Sequence, residues 1–397
     1  MWRPCAYIFG AGASLSLLNR RHTLKSKIFF QDVGRLYGYL FGLTRKLLEK
    51  SDLSIEIGTS LARNFLDKVQ YKKYYRNLRT VLLLPPVKSR RAKKATVAFL
   101  APIYKKYFSH FDLLHLNDVY SPYNHLILDN AKPKILTFHE GTFAEERRQD
   151  KLNLFDNMLS RMDTITTPSN FMSAILRKKL GYRSEVIPFG VDRQLFNTSI
   201  PNSVARVNIG MPKNEKIVLW CGRLIQEKEL ETMIEAIPRI AHEFPSSTFL
   251  ILAQKSEDKK YADRILKYVR NKAKEYPNII LKTDYVPYRQ MSSYYRSADV
   301  FVHTSRVESF GLVLVEAMAC GLPIIATSCE TCREVVGSSG LLFERGDSQT
   351  LAEKTCMLLA DDELRMAMSE AGRLKVCKTY TWDRSADQLL KVYSRFV

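Results

Sequence analysis

The sequence lacks several features that would identify other classes of protein. No apolar run reaches the roughly 18 residues that a membrane-spanning helix needs. The seven cysteines are odd in number and scattered, which argues against a disulfide framework and favours a reducing compartment. Cys329 and Cys332 form the only C-x-x-C pair, and we interpret it as coincidence because no second pair or redox context accompanies it. The chain also has no Asp-x-Asp pair, internal repeat or low-complexity segment.

What the chain does contain is an alternation of short apolar runs and helical patterns, which predicts a mainly parallel, doubly wound α/β sheet. In the first half we predict a helix at 31–50 and strands at 6–9, 53–57, 80–84, 111–116, 134–138, 163–166 and 185–188. Polar residues and Pro201 interrupt the pattern near 197–208, and the alternation then restarts. We therefore predict two Rossmann-like domains, residues 1–197 and 198–380, followed by a terminal helix at 381–397.

Positive charge is concentrated in the first half of the chain. The formal net charge is +20, and residues 20–110 alone hold 21 Lys and Arg against 5 Asp and Glu. Basic runs at 71–76 and 88–94 precede an aromatic-rich stretch at 95–111, so that aromatic residues are interleaved with Lys and Arg in this segment. This pattern predicts a surface that binds an anionic membrane. The alternatives are a solvated basic helix whose aromatic residues belong to the core, and a nucleic-acid surface, for which no motif is present.

The most informative stretch connects a predicted strand at 299–303 to a predicted helix at 312–320. Gly321 is the residue expected to end that helix. Glu308 then lies in the connecting loop and Glu316 inside the helix. Ionised carboxylates are strong hydrogen-bond acceptors and suit sugar hydroxyls. The backbone N–H groups at the start of the helix suit an anion such as a diphosphate.

Glu308 and Glu316, separated by seven residues, resemble the signature of the family-4 retaining glycosyltransferases. The run that continues as Glu-Ala-Met-Ala-Cys-Gly-Leu-Pro strengthens the resemblance. It implies a GT-B architecture, in which two Rossmann-like domains face each other across a cleft. It also implies metal-independent transfer of a hexose from a nucleotide diphosphate, with retention of configuration. In this family pattern Glu316 binds the ribose, Glu308 binds the transferred sugar, and Phe310, Gly311 and Leu312 contact the donor.

Two cations follow another predicted strand, at 216–220. Arg223 and Lys228 lie where the carboxyl edge of a parallel sheet would place them beside a ligand. A guanidinium and an ammonium together can neutralise the charge that develops on a departing nucleoside diphosphate. The run Gly-Arg-Leu-x-x-x-Lys is similar to the diphosphate-binding motif of the same family, although Glu229 stands where a glycine usually follows the lysine. The alternative is a pair of solvated charges at the start of a helix.

Four further residues are candidates for the site. His139 follows the predicted strand at 134–138, and the resemblance implies that it lies beside the donor sugar. Gly12 belongs to a weak glycine loop that would approach the donor phosphates, and Val286 belongs to a segment that would contact the base. His115 is a weaker candidate, because a lone histidine after an apolar run is more often structural.

The resemblance leaves the donor and acceptor open. Residues 252–255 and 328–332 lack the glycines usual in the family, so the donor is expected to be UDP- or GDP-linked without a choice between them. No cofactor is expected, and the acceptor expected from the basic segment is a lipid or lipid-linked glycan on the cytoplasmic face of a membrane. The alternatives are an inactive GT-B subunit that binds sugar nucleotides or membranes, and a nucleotide-sugar epimerase or hydrolase of the same fold.

Overall fold

The structure is a computed structural model that describes residues 26–31, 37–59, 78–82, 102–103, 105–117, 119–120, 124–254, 256 and 258–397. Several sequence predictions lie outside these residues. They are Gly12, the strand at 6–9, and the basic runs at 71–76 and 88–94.

The first sheet is parallel throughout and has the strand order β3-β2-β1-β4-β5-β6-β7. Its strands are β1 (Lys27–Gln31), β2 (Ser54–Thr59), β3 (Leu78–Leu82), β4 (Leu113–Leu116), β5 (Lys134–Thr137), β6 (Thr164–Thr167) and β7 (Glu185–Val186). The register places Ile28 beside Ile55 on one side and Leu113 on the other, and all three side chains are buried. Because a central strand is buried on both faces, its sequence is a continuous apolar run and does not alternate between apolar and polar residues.

The second sheet is also parallel, with the strand order β10-β9-β8-β11-β12-β13. Its strands are β8 (Ile217–Arg223), β9 (Thr248–Gln254), β10 (Ile279–Lys282), β11 (Val300–His303), β12 (Ile324–Thr327) and β13 (Gly340–Phe343). The strand order reverses between β8 and β11. Their carboxyl ends therefore open the crevice in which a doubly wound sheet binds its ligand.

Helices lie between strands of both sheets along the described parts of the chain. They are α1 (Tyr37–Lys50), α2 (Asn124–Leu128), α3 (Gln149–Leu159), α4 (Asn170–Leu180), α5 (Asn202–Ile209), α6 (Leu230–Glu243), α7 (Lys259–Glu275), α8 (Met291–Ser297), α9 (Leu312–Ala319), α10 (Glu330–Val336), α11 (Ser348–Ala360), α12 (Asp362–Thr379) and α13 (Trp382–Tyr393). Within the described residues, no helix combines the length and the apolar character needed to cross a bilayer. This architecture confirms the predicted α/β class with two Rossmann-like domains.

The prediction was wrong at the first described strand. The helix predicted at 31–50 is confirmed over Tyr37–Lys50, but Gln31 belongs to β1, and no strand was predicted at Lys27–Gln31. The apolar run at 28–30 is too short to distinguish a strand from a helix by its period. Its strand character follows instead from pairing with β2 and β4, which the local sequence does not encode.

The aromatic stretch that was predicted to face a membrane contributes partly to the core. Phe108 and Phe111 are fully buried and pack in one hydrophobic cluster with Leu114. For these two rings the core alternative is therefore correct, and the membrane-facing assignment of Phe108 was wrong. Ile103 is exposed. Some of the basic charge nearby is paired, since Arg45, Lys46 and Lys50 of α1 contact Asp192, Asp383 and Asp387.

The chain passes between the two sheets twice, at neighbouring places. Val191, which follows β7, forms a parallel bridge with Thr381, and its N–H donates to the carbonyl of Tyr380 over 3.1 Å. Directly after this point α13 packs against α1, where Lys50 Nζ lies 2.7 Å from Asp387 Oδ1. The predicted terminal helix thus contacts the domain of the first sheet.

Gly190 lies where this second connection leaves no room for a side chain. A Cβ at that position would be 2.2 Å from Trp382 N and 2.4 Å from Thr381 C, which are backbone atoms that cannot rotate away. We expect Gly190→Ala to lower the free energy of unfolding by about 3 kcal/mol or more. Gly372→Ala is the matched control, because that glycine lies inside α12 and its Cβ would meet Met318 at an ordinary 3.4 Å. Urea denaturation should show the control unchanged or stabilised by up to about 1 kcal/mol; equal losses in both variants would contradict the prediction.

Candidate active site

The strand, loop and helix that carry the two glutamates form as the sequence predicts. β11 ends at His303, the loop follows, and α9 begins after Gly311. Gly311 has φ 82°, a left-handed conformation that glycine adopts without strain and that turns the loop into the helix. Consequently Glu308 lies in the loop and Glu316 lies one turn inside α9.

Two side chains, one cationic and one polar, lie close to the same oxygen of Glu308. Lys228 Nζ forms an ion pair with Glu308 Oε1, and His303 Nε2 lies 3.0 Å from that oxygen. The side chains of Lys228 and Glu308 are only 17% and 12% exposed, so solvent screens the pair weakly. Burial alone would raise the pKa of Glu308, but Lys228 and His303 outweigh it and lower that pKa below its usual range. Glu308 is therefore a carboxylate at neutral pH.

The backbone around Lys228 is tied to β11. Trp220 Nε1 donates to Thr304 Oγ1 over 3.0 Å, and the Thr304 hydroxyl donates to the carbonyl of Lys228 over 2.6 Å. The Arg306 N–H donates to the carbonyl of Glu227 over 2.9 Å. These bonds join the loop after β8 to the loop after β11, which brings Lys228 and Glu308 together from positions 80 residues apart.

Glu229 occupies the position at which the family usually has glycine. Its φ of 40° is the only positive value found for a residue other than glycine in the part of the chain that the structure describes. A short helical turn ends there and α6 begins, so the left-handed conformation is needed to reverse the chain. The side chain accepts a 2.7 Å hydrogen bond from Arg345 Nε, which provides partial compensation for the strain.

This strain predicts the effect of restoring the glycine. We expect Glu229→Gly in an Arg345→Ala background to raise the free energy of unfolding by about 1 kcal/mol, because the left-handed cost disappears and no ion pair is lost. In the wild-type background the gain should be smaller, since the exposed pair with Arg345 is lost as well. Denaturant unfolding of the four proteins in this cycle measures both terms. A loss of stability in both backgrounds would show that the conformation carries no strain.

Glu316 is the more deeply buried of the two glutamates. Tyr295 donates its hydroxyl to Glu316 Oε2 over 3.0 Å, and Tyr288 forms a second hydrogen bond with the carboxylate. Burial raises the pKa of Glu316 to about 7, against the opposing effect of the two tyrosines. Tyr288 lies two residues after Val286, so the segment predicted to contact the base is adjacent to Glu316.

Arg223 is the last residue of β8, and its side chain is exposed at the same edge of the sheet. Phe310 is placed differently from its predicted neighbours Gly311 and Leu312. Its ring is 2% exposed and packs against Phe189 and Tyr380, with centroids 5.3 and 5.5 Å apart. The predicted contact of Phe310 with the donor can therefore be made only by its backbone.

The domain of the first sheet lies directly against the Glu308 loop. Ser169 Oγ donates to the carbonyl of Ser309 over 2.8 Å, and Arg306 Nη2 lies 2.9 Å from Glu145 Oε2. Gly141 approaches so closely that a Cβ there would be 3.0 Å from Ser309 N. A cavity of about 240 Å³ remains between the two sides, and it is lined by Ala144, Glu145, Phe171, Arg306, Val307, Glu308, Ser328, Cys329, Glu330 and Thr331.

The two candidate histidines have different surroundings. His139 Nε2 lies 2.7 Å from the carbonyl of Asn117, and because a carbonyl only accepts, this nitrogen carries a proton. His115 is completely buried, bonded to Tyr393 and Thr137, and burial lowers its pKa to about 3. His115 is thus a core residue, and its weak candidacy as a site residue was wrong.

Sequence reasoning missed Tyr288, Tyr295 and His303. The tyrosine-rich segment at 285–295, which includes the segment predicted to contact the base, is a signal that could have been used, although Tyr288 precedes α8 and only Tyr295 lies inside it. His303 carries no such signal, because its contact with Glu308 depends on the path of the loop.

Comparisons with known proteins cover both domains. Residues 203–375 match the family model for glycosyl transferases group 1, and residues 32–195 match the model for glycosyltransferase family 4. The chain is 30% identical over 305 residues to a phosphatidyl-myo-inositol mannosyltransferase of Mycobacterium tuberculosis, covering 73% of this chain and 75% of the relative. A D-inositol 3-phosphate glycosyltransferase of Xylanimonas cellulosilytica is 29% identical over 220 residues, 54% of this chain and 51% of the relative, so the chain spans about half the length of that protein.

Two solved structures share the fold. A sucrose-phosphate synthase from Thermosynechococcus elongatus superposes with a TM-score of 0.77 at 21% identity, covering 93% of this chain and 98% of the other. The Anabaena protein Alr3699/HepE in complex with UDP and glucose gives 0.76 at 20% identity, covering 93% and 100%.

Proposed function

Because the chain belongs to the family-4 glycosyltransferases of GT-B fold, we propose that it is a retaining hexosyltransferase that uses a nucleotide diphosphate sugar. The observation that carries this proposal is the convergence of Lys228 and Glu308 at the crevice beside the start of α9, with Glu316 buried behind them. A cation for the phosphates, a carboxylate for the sugar and a carboxylate for the ribose are thereby brought to one edge of a sheet.

Each predicted residue has a role in this reaction. Lys228 and Arg223, with the N–H groups of Gly311 and Leu312, neutralise the charge on the departing diphosphate. These positive groups supply the stabilisation without a metal ion. Glu308 then accepts hydrogen bonds from the transferred sugar.

The remaining predicted contacts complete the donor site. Glu316 accepts hydrogen bonds from the ribose hydroxyls, and the backbone near Val286 contacts the base. His139 contacts a hydroxyl of the transferred sugar or supports the transition state. Gly12, outside the described residues, is proposed to approach the phosphates. The donor base is uracil or guanine.

The acceptor is proposed to be a lipid or lipid-linked glycan at the cytoplasmic face of an anionic membrane. The relative from Mycobacterium tuberculosis is named for an inositol lipid, and the basic segment at 20–110 suits anionic headgroups. Flotation with vesicles that differ only in anionic lipid tests this part of the proposal. Binding that does not depend on lipid charge would refute it. No nucleic-acid partner is expected.

A panel of UDP- and GDP-sugars tests the reaction itself. Thermal shifts with UDP and GDP first identify the base, because a ligand stabilises only the folded state that binds it. Product analysis then distinguishes transfer with retained anomeric configuration from epimerisation or simple hydrolysis. Binding of a nucleotide sugar without any turnover would identify an inactive subunit and refute the enzymatic proposal.

A further inference from the structure

His303 is a buried imidazole whose position has no role in the reaction proposed above. It is the last residue of β11, it is 1% exposed, and its ring stacks on Phe301 with the centroids 6.2 Å apart. Burial lowers the pKa of His303, so the ring is neutral near pH 7 and carries a single N–H. A neutral polar ring in this apolar setting is costly unless it has a partner.

The carboxylate oxygen that His303 faces, Glu308 Oε1, already forms an ion pair with Lys228. Nε2 lies 3.0 Å from Glu308 Oε1, yet it makes no aligned hydrogen bond within the residues that the structure describes. Lys228 takes the same oxygen. A carboxylate oxygen can accept from two donors, but here the charged ammonium forms the stronger interaction and, among the described residues, the imidazole N–H is left without an aligned bond.

Binding of the donor in the proposed reaction changes the interactions of Glu308. A nucleotide diphosphate offers Lys228 a doubly charged alternative, and the flexible lysine stem lets the ammonium follow it. Glu308 would then be a buried carboxylate without its counter-charge, a state that costs several kcal/mol unless another donor replaces the first. His303 Nε2 is 3.0 Å away and fixed by the strand.

We propose that His303 is a positioning residue that holds Glu308 against the transferred sugar once Lys228 has moved to the diphosphate. The inference rests on the proposed function, because it requires a diphosphate to draw Lys228 away. His303 itself does not touch the substrate; it acts by fixing the carboxylate that does. Such placement matters because a displacement of about 1 Å at a reacting group can reduce the rate by about 100-fold.

The alternative is that His303 has only a packing role in the core. Leucine would then serve as well as histidine, since it is apolar and similar in size. Glutamine, unlike leucine, keeps a hydrogen-bond donor, because its terminal NH₂ can donate from about the position of Nε2. His303→Leu and His303→Gln therefore form a matched pair in which only the donor changes.

Steady-state kinetics with the donor sugar test this pair. We expect His303→Leu to lower kcat by about 10- to 100-fold with KM for the donor changed less than about threefold, and His303→Gln to recover most of kcat. Leucine that retains kcat within threefold, or glutamine that is as poor as leucine while equally folded, overturns the proposal. Absence of turnover in the wild-type protein instead refutes the proposed function.

A second measurement does not depend on turnover. In protein labelled with ¹⁵N-histidine, addition of UDP or GDP should shift the His303 Nε2–H proton downfield and slow its exchange with water, because the hydrogen bond to Glu308 forms. The Glu308→Gln variant should show a smaller shift, since a neutral amide is the weaker acceptor. A His303 resonance that responds to neither nucleotide overturns the inference even where catalysis is absent.

Discussion

Replacing Lys228 with methionine will reduce kcat/KM for the donor by about 10²- to 10³-fold and will also destabilise the protein. The first effect follows because a buried cation aimed at a departing anion stabilises charge that develops only in the transition state. The second follows because Glu308, which is 12% exposed, loses the ammonium that compensates its charge. Removing one partner of a buried pair costs about 3 kcal/mol. Donor kinetics and urea denaturation measure the two effects separately.

The double variant Lys228→Met/Glu308→Gln separates stability from catalysis. Stability should return to within about 1 kcal/mol of the wild type, because no uncompensated charge remains, whereas activity should stay low. Lys272→Met is a suitable control, since its pair with Glu275 lies on the surface of α7, where solvent screens the two charges. If Lys228→Met is as stable as Lys272→Met, the ion pair with Glu308 is not buried in solution.

Nucleotide binding should weaken below neutral pH because of Glu316. Its pKa of about 7 means that the free protein is largely protonated there at pH 6, and a protonated carboxyl is a poor acceptor for ribose hydroxyls. If the bound state requires the carboxylate, the Kd for UDP or GDP should rise about tenfold from pH 8 to pH 6. Calorimetric titration of Glu316→Gln should give weaker binding without this dependence. A wild-type Kd that is constant over that range would contradict the assignment.

The raised pKa of Glu316 also affects the stability of the free protein, and in the opposite direction: stability is greater at low pH. A raised pKa means that the folded state binds the proton more tightly than the unfolded chain does, with its ordinary value of 4.5. The contribution of Glu316 to stability is therefore present in full below pH 4.5 and is lost as the pH rises through about 7. Denaturation at pH 5 and pH 8 should show a larger loss in the wild type than in Glu316→Gln. Equal losses would indicate that the carboxyl is solvated.

The parts of the fold that could be predicted are those with local signals. β11, α9 and Gly321 were recognised because a buried strand, a glycine-flanked helix and a left-handed terminal glycine each have their own pattern. β1 was missed because three apolar residues do not define a period, and its neighbours in the sheet are remote in sequence. The position of Glu308 was predictable in the loop, whereas its two partners were not.

In the candidate site, too, local signals were predictable and contacts between remote segments were not. Lys228 was identified from its motif, but the Thr304 hydroxyl that fixes it depends on how two loops meet. Phe310 was grouped with Gly311 because they are adjacent, although adjacent residues in a loop can face opposite ways, and its ring joins the core. Sequence reasoning thus identifies which chemical groups are present in the cleft. Their orientation follows from contacts between distant segments.

The double connection between the domains limits how the cleft can open. The chain crosses once after Val191 and again at Thr381, and the two crossings are held side by side by the bridge between these residues. One connection alone would permit twisting and sliding, whereas a bonded pair resists both and still bends. Any relative rotation of the two domains would therefore be centred near the bridge. A rotation about that point would alter the contacts across the cleft, among them the pair between Arg306 and Glu145.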